Sequence, residues 1–125
     1  MASKKIVIGG REVEMLAMSS CNFYYKRLFG EDPFTIQAQA VTTEGGEGMG
    51  VTFAMQMGFI MKKAAEAHGD RNIMNALTLD EYLDWIDQFG TFDFVEPSGE
   101  IIPFYASQNK TTSVEKKEGG EPSAS

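Results

Sequence analysis

The residues of this 125-residue chain best suited to acid–base or nucleophilic chemistry are one histidine, His68, and one cysteine, Cys21. Histidine titrates near neutral pH and is the commonest metal ligand. His68, however, stands beside Gly69 at the end of an apolar run, where an imidazole ordinarily serves as a solvated or dipole-interacting group. Cys21 falls near the start of a predicted helix, a position that lowers a thiol pKa. A Cys/His pair would need that same lone histidine, so a half-buried structural cysteine is expected. Asp80 and Asp84, at i and i+4, share a helix face with Glu81 and Asp87 close by, which is the beginning of a divalent-metal site. No histidine or glycine-hinged loop completes the ligand set, and the acids read as a solvated face favoured near a helix N-terminus. The glycine-rich run Gly45-Gly46-Glu47-Gly48-Met49-Gly50 has the look of a phosphate cradle. It lacks a terminal Lys-Ser/Thr pair and carries Glu47, which would repel phosphate, so it is expected to be a hinge. The chain therefore reads as no enzyme, with no catalytic residue, cofactor or metal site.

Composition narrows the function classes further. A chain of this length holds one modest core, and an apolar share of 42 % suffices to pack it. The net charge of −7 and pI near 4.6 oppose phosphate-backbone binding, so nucleic acid is not an expected partner. The most apolar stretch, Val51 to Met61, is about half the length needed to span a bilayer and is followed by Lys62 and Lys63, so no membrane segment is expected. With no long apolar leader and no possible internal disulfide, a cytoplasmic location is the expectation.

The elements that must position these residues follow from local signals. Lys5-Ile6-Val7-Ile8, Gly9-Gly10 and Arg11-Glu12-Val13-Glu14-Met15-Leu16 read as a hairpin, with Arg11, Val13 and Met15 on one face and Glu12 and Glu14 on the other. Ser19 to Phe29 reads as a first helix, with a serine N-cap, Lys26 and Arg27 in the last turn and Gly30 at the C-cap. Pro33 permits a short helix over Phe34 to Ala40. Glu44 to Gly50 holds four glycines in seven residues and is expected to be a flexible loop. Val51 to His68 is the predicted central helix. Phe53, Met57, Ile60 and Ala64 form one stripe there, and Ala54, Gly58, Met61 and Ala65 a second beside it. Thr78-Leu79-Asp80-Glu81 matches a capping box and starts a third helix that ends at Gly90. That helix presents Leu79, Leu83 and Ile86 on one side, with Tyr82, Trp85 and Phe89 adjacent. A short strand or turn pair is expected between Thr91 and Tyr105, around Pro97-Ser98-Gly99. From residue 106 to Ser125 the composition predicts a disordered tail. The fold class is thus α+β, mostly α-helical: a hairpin followed by a small helical bundle over 1–105.

Methionines are concentrated in and near the central helix, at Met49, Met55, Met57, Met61 and Met74. Such flexible side chains suit either an ordinary core or a surface that accepts an apolar partner, including a second copy of the chain. The residues assigned to a partner-accepting groove are Phe53, Met57, Ile60, Met61, Tyr82, Trp85 and Phe89. Trp85 also fits a core position against the central helix.

Taken in order, Ile6-Val7-Ile8-Gly9-Gly10-Arg11-Glu12-Val13-Glu14, Tyr25-Lys26-Arg27-Leu28-Phe29-Gly30-Glu31-Asp32, Phe53-Ala54-Met55 and Thr78-Leu79-Asp80-Glu81-Tyr82-Leu83-Asp84-Trp85-Ile86 resemble the tail assembly chaperones of long-tailed bacteriophages and prophages of Firmicutes type. The resemblance runs from about Lys4 to Phe89 and leaves out the glycine-rich stretch. It implies a non-catalytic protein of the host cytoplasm, absent from the mature virion. Such a protein binds and solubilises the tape measure protein and helps recruit tail tube subunits. It also implies a longer product made by ribosomal frameshifting near Glu115-Lys116-Lys117. The alternative is an acidic, DNA-mimicking inhibitor of a host nuclease, since the stretch from Asp80 to Glu100 contains acids but no Lys or Arg.

Overall fold

A computed structural model describes residues 2–36 and 46–108, with the backbone alone over 46–49. The architecture is α+β and mostly helical. Strands β1 (Ala2–Ile8) and β2 (Arg11–Ala17) form a two-stranded antiparallel sheet whose register runs from Ala2 opposite Ala17 to Ile8 opposite Arg11. Gly9 and Gly10, with φ of 56° and 80°, make the two-residue turn that matches the twist of the flanking strands. Strand alternation then sorts the side chains. Ile6, Ile8, Val13, Met15 and Ala17 are buried, while Lys5, Val7, Glu12 and Glu14 face outward. A two-stranded ribbon is barely stable alone. Here its apolar face lies on a long helix.

That helix, α2 (Gly46–Glu66), follows α1 (Cys21–Phe29) and is the hub of the molecule: β2, α1 and two later helices all pack against it. Both predicted stripes of α2 are occupied. Phe53, Met57, Ile60 and Ala64 are buried, as are Ala54 and Met61, and Phe59 joins them although it belongs to neither stripe. The expected loop over the glycine-rich stretch is corrected, because α2 takes in Gly46 to Gly50. Tertiary packing overrides the propensity there: Gly50 lies against the Ile102 side chain. At its C-terminal end Gly69, with φ of 75°, donates its N–H to the Ala64 carbonyl at 2.9 Å and closes the helix.

In α1, Ser20 occupies the N-cap but makes no side-chain capping bond, and Gly30 ends the helix in the left-handed conformation. The short helix expected over Phe34 to Ala40 is present at 33–36, and the rest of it lies outside the described residues. Asp70 caps the brief α3 (Arg71–Asn75), its carboxylate accepting the N–H groups of Asn72 and Ile73. Thr78 caps α4 (Leu79–Ile86) through the predicted box: Thr78 Oγ1 accepts from the Glu81 N–H at 3.3 Å, and the Glu81 carboxylate accepts from the Thr78 N–H at 3.1 Å.

The strand or turn pair expected between Thr91 and Tyr105 is also corrected. After turns through 91–97, α5 (Ser98–Ser107) packs on α2, with Ile101 and Tyr105 one turn apart and buried. It contains Pro103, whose cost to the helix is offset by that burial. Helix therefore extends through Ser107, past the expected boundary at 105. The remainder of the predicted tail, from 109, lies outside the described residues.

Rings tie the helices together. Tyr25 of α1 contacts Phe53 of α2, which contacts Tyr105 of α5, at centroid separations of 5.4 and 5.2 Å. Phe59 contacts both Tyr82 and Trp85 of α4, and Trp85 contacts Phe89 and Phe94. Such tilted and edge-on pairs contribute about 0.5 to 1.5 kcal/mol each beyond the area they bury.

Candidate interaction surface

The side chains that suggested chemistry are not assembled by the fold. Cys21 is fully buried, its thiol donating to the Leu16 carbonyl at 3.7 Å, and burial pushes its pKa up to about 11. It is held as a neutral thiol, which is the unreactive form. His68 is exposed in the turn after α2, with φ of 50°. Asp80, Asp84 and Asp87 are exposed, and among the described residues no group of three His, Cys, Asp or Glu is placed to share a metal ion. Among the described residues Glu66 is the one carboxylate with a clear shift. Burial acts to raise its pKa, but Lys62 at 2.6 Å and Lys63 at 3.5 Å outweigh that and hold it below the usual range.

The groove expected from Phe53, Met57, Ile60, Met61, Tyr82, Trp85 and Phe89 is closed. The first six are at most 6 % exposed, and Phe89 is partly buried against Trp85 and Phe94. This corrects their assignment as a partner face: in so small a fold their apolar area is consumed by the chain's own core. A cleft of about 350 Å³ does remain where Arg11, Glu14, Lys62 and Gln88 surround the rims of Trp85 and Phe89. Its cations are already committed. Arg11 donates to Gln88 Oε1 at 2.7 Å and lies 5.0 Å over the Phe89 ring, and Lys62 lies 5.8 Å over Trp85 while bound to Glu66.

Val7, Phe23, Phe34, Ile73, Phe92 and Val95 are exposed at scattered positions, and a further open apolar surface lies on the other side of α4. Leu79 and Leu83 are 50 % and 47 % exposed, and Ile86 completes the i, i+4, i+7 line as a partly buried side chain. Aromatic bulk decides this orientation. Two apolar stripes adjoin on α4, and the one carrying Tyr82, Trp85 and Phe89 buries more area and is turned inward. Asp80, Asp84 and Asp87 run alongside the open stripe. Among the described residues none of the three takes part in an ion pair, although Lys4, Lys5, Lys62 and Lys63 all do. Their i, i+4 and i, i+3 spacings are repulsive by roughly 0.2 to 0.5 kcal/mol per pair. Asp87 caps the C-terminus of α4 and no base stands in the last turn, so the charge also opposes the helix dipole.

Set beside known protein families, characterised proteins and solved structures, the chain matches none of them. Among the described residues no helix is long and apolar enough to cross a membrane. The open leucines also went unrecognised as surface by sequence reasoning. The signal for them was present in the two adjoining stripes of α4, which cannot both face one core.

Proposed function

We propose that this chain is a non-catalytic tail assembly chaperone that binds and solubilises the tape measure protein and helps recruit tail tube subunits in the host cytoplasm, without entering the mature virion. The observation that carries the reading is the open Leu79/Leu83 stripe, two apolar side chains one helical turn apart that the core does not use. A binding protein needs apolar side chains that its own core does not use. The segments that resemble the chaperone family support it as well. They fall on the β1–β2 hairpin, the end of α1, the middle of α2 and all of α4. A tape measure protein is a long helical chain with apolar stripes, which a helical surface can cover by ridge-and-groove packing. The alternative, a DNA mimic, calls for carboxylates spread along the surface at phosphate-like intervals, and on α4 the acids form one edge beside an apolar stripe instead.

Co-expression tests the proposal. Tape measure protein from the same phage or prophage should move from the insoluble to the soluble fraction when this chain is present, and the two should co-purify. Aggregation of the tape measure protein to the same extent with and without the chain would refute the reading.

A further inference from the structure

We infer that the α4 face formed by Leu79, Leu83 and Ile86 and edged by Asp80, Asp84 and Asp87 docks a cationic amphipathic helix. The inference rests on the reading of the chain as a partner-binding protein and gives that reading a surface and a partner chemistry. Leu79 and Leu83 stand one turn apart and half exposed, the spacing at which one helix offers a ridge to another. The three aspartates beside them repel one another, and no cation of the chain answers them among the described residues. Asp84 and Asp87 lie at the end of α4, at the negative pole of the helix dipole, with no base in the last turn. Lys or Arg side chains flanking an incoming apolar stripe would relieve all of these at once. They would pair the acids, screen their mutual repulsion and supply the positive charge missing from the helix C-terminus.

The surroundings select against other occupants. From Asp80 to Glu100 the sequence contains no Lys or Arg, and the cations the fold brings to this stretch, Lys4, Arg11, Lys62 and Lys63, are held on other groups, so the edge of Asp80, Asp84 and Asp87 repels an approaching acidic segment. A second copy of the chain, packed antiparallel against α4 about a two-fold axis, would set aspartate against aspartate. The partner is therefore a different chain, helical, with an apolar stripe bordered by bases.

The test uses the full chain and two synthetic helical peptides of about 20 residues, long enough to hold several turns. Both carry leucine at heptad positions a and d, and they differ only in having lysine or glutamate at e and g. The lysine peptide should bind and the glutamate peptide should not. The double variant Leu79→Ser/Leu83→Ser should weaken binding at least about tenfold, and the triple variant Asp80→Asn/Asp84→Asn/Asp87→Asn should weaken it similarly and flatten its salt dependence. The double variant Asp84→Asn/Asp87→Asn removes repulsion at the end of α4 and leaves Asp80 at the N-terminus, where an acid is favoured, so it should melt no lower than the parent while still binding the lysine peptide more weakly, which separates lost binding from lost folding. Equal binding of both peptides, or binding indifferent to the two serines, would overturn the inference. So would a dimer of the free chain that Leu83→Ser dissolves. If Leu79→Ser/Leu83→Ser still solubilises tape measure protein, this surface is wrong and the chaperone reading stands. If the parent binds the lysine peptide but leaves tape measure protein insoluble, the reverse holds.

Discussion

The ring of Trp85 lies 5.9 Å from that of Phe59, tilted by 42°, and this contact holds α4 against the middle of α2. Trp85 is 5 % exposed and also meets Phe89 and Phe94, so one side chain joins α4, α2 and the turns before α5. Replacing it with alanine should cost about 3 to 5 kcal/mol, the loss expected for a buried aromatic that leaves a cavity. Chemical denaturation measures this directly. A Trp85→Ala protein of parental stability would place the side chain outside the core.

The hairpin turn is pressed onto the same region. A Cβ at Gly9 would stand 2.8 Å from Asp93 Oδ2 and 3.0 Å from the Phe89 ring, and φ there is 56°. Gly9→Ala should therefore destabilise by roughly 1 to 3 kcal/mol through backbone strain and crowding. Gly10 shares the positive φ but meets nothing within 4 Å, so Gly10→Ala should cost less. Equal melting temperatures for the two variants would contradict this difference.

Thr78 and Glu81 bond reciprocally at the start of α4. Thr78→Ala should cost about 1 kcal/mol and lower the melting temperature by about 4 to 8 °C, whereas Thr78→Ser keeps the hydroxyl and should cost less. Thermal melts of the two variants side by side decide it. A loss of the same size in both would assign the effect to the methyl group.

Alkali should unfold the protein in a particular window. Burial pushes the Cys21 thiol from 9.0 up to about 11 and the Tyr82 phenol from 10.0 up to about 12. Each pKa is higher folded than unfolded, so the unfolded chain releases these protons first as pH rises. The stabilisation is complete below the unfolded values, declines between pH 9.0 and about 12, and is gone above the folded values. For Cys21 the loss is on the order of 2 to 3 kcal/mol. Melts at increasing pH should fall across this window, with a shallower decline in Cys21→Ala. A melting temperature constant through it would contradict the burial of both groups.

These elements were legible in the sequence to different degrees, for physical reasons. Gly9-Gly10 and Thr78-Leu79-Asp80-Glu81 state their geometry within four residues, since turn and cap depend on local φ, ψ and hydrogen bonds. Alternation in Ile6 to Met15 and the helical stripes of Phe53 to Ala64 identified the core faces for the same reason. The glycine-rich start of α2 and the proline-bearing α5 were not legible. Each is poor helix by propensity and is held by the other, through contacts such as Gly50 with Ile102 and the burial of Ile101. On α4 the pattern offered two apolar stripes, and the choice between them depends on partners distant in sequence: Phe29, Phe59 and Phe94 receive Tyr82 and Trp85, which leaves Leu83 outward.

The central claim is that this chain covers apolar helical surface on a tape measure protein. Titration calorimetry of the full chain with a soluble helical segment of that protein, repeated at several temperatures, tests it most directly. Saturable binding with a negative heat-capacity change is the predicted result, because burial of apolar surface carries that signature. Absence of saturable binding, or binding whose heat does not vary with temperature, would contradict the account.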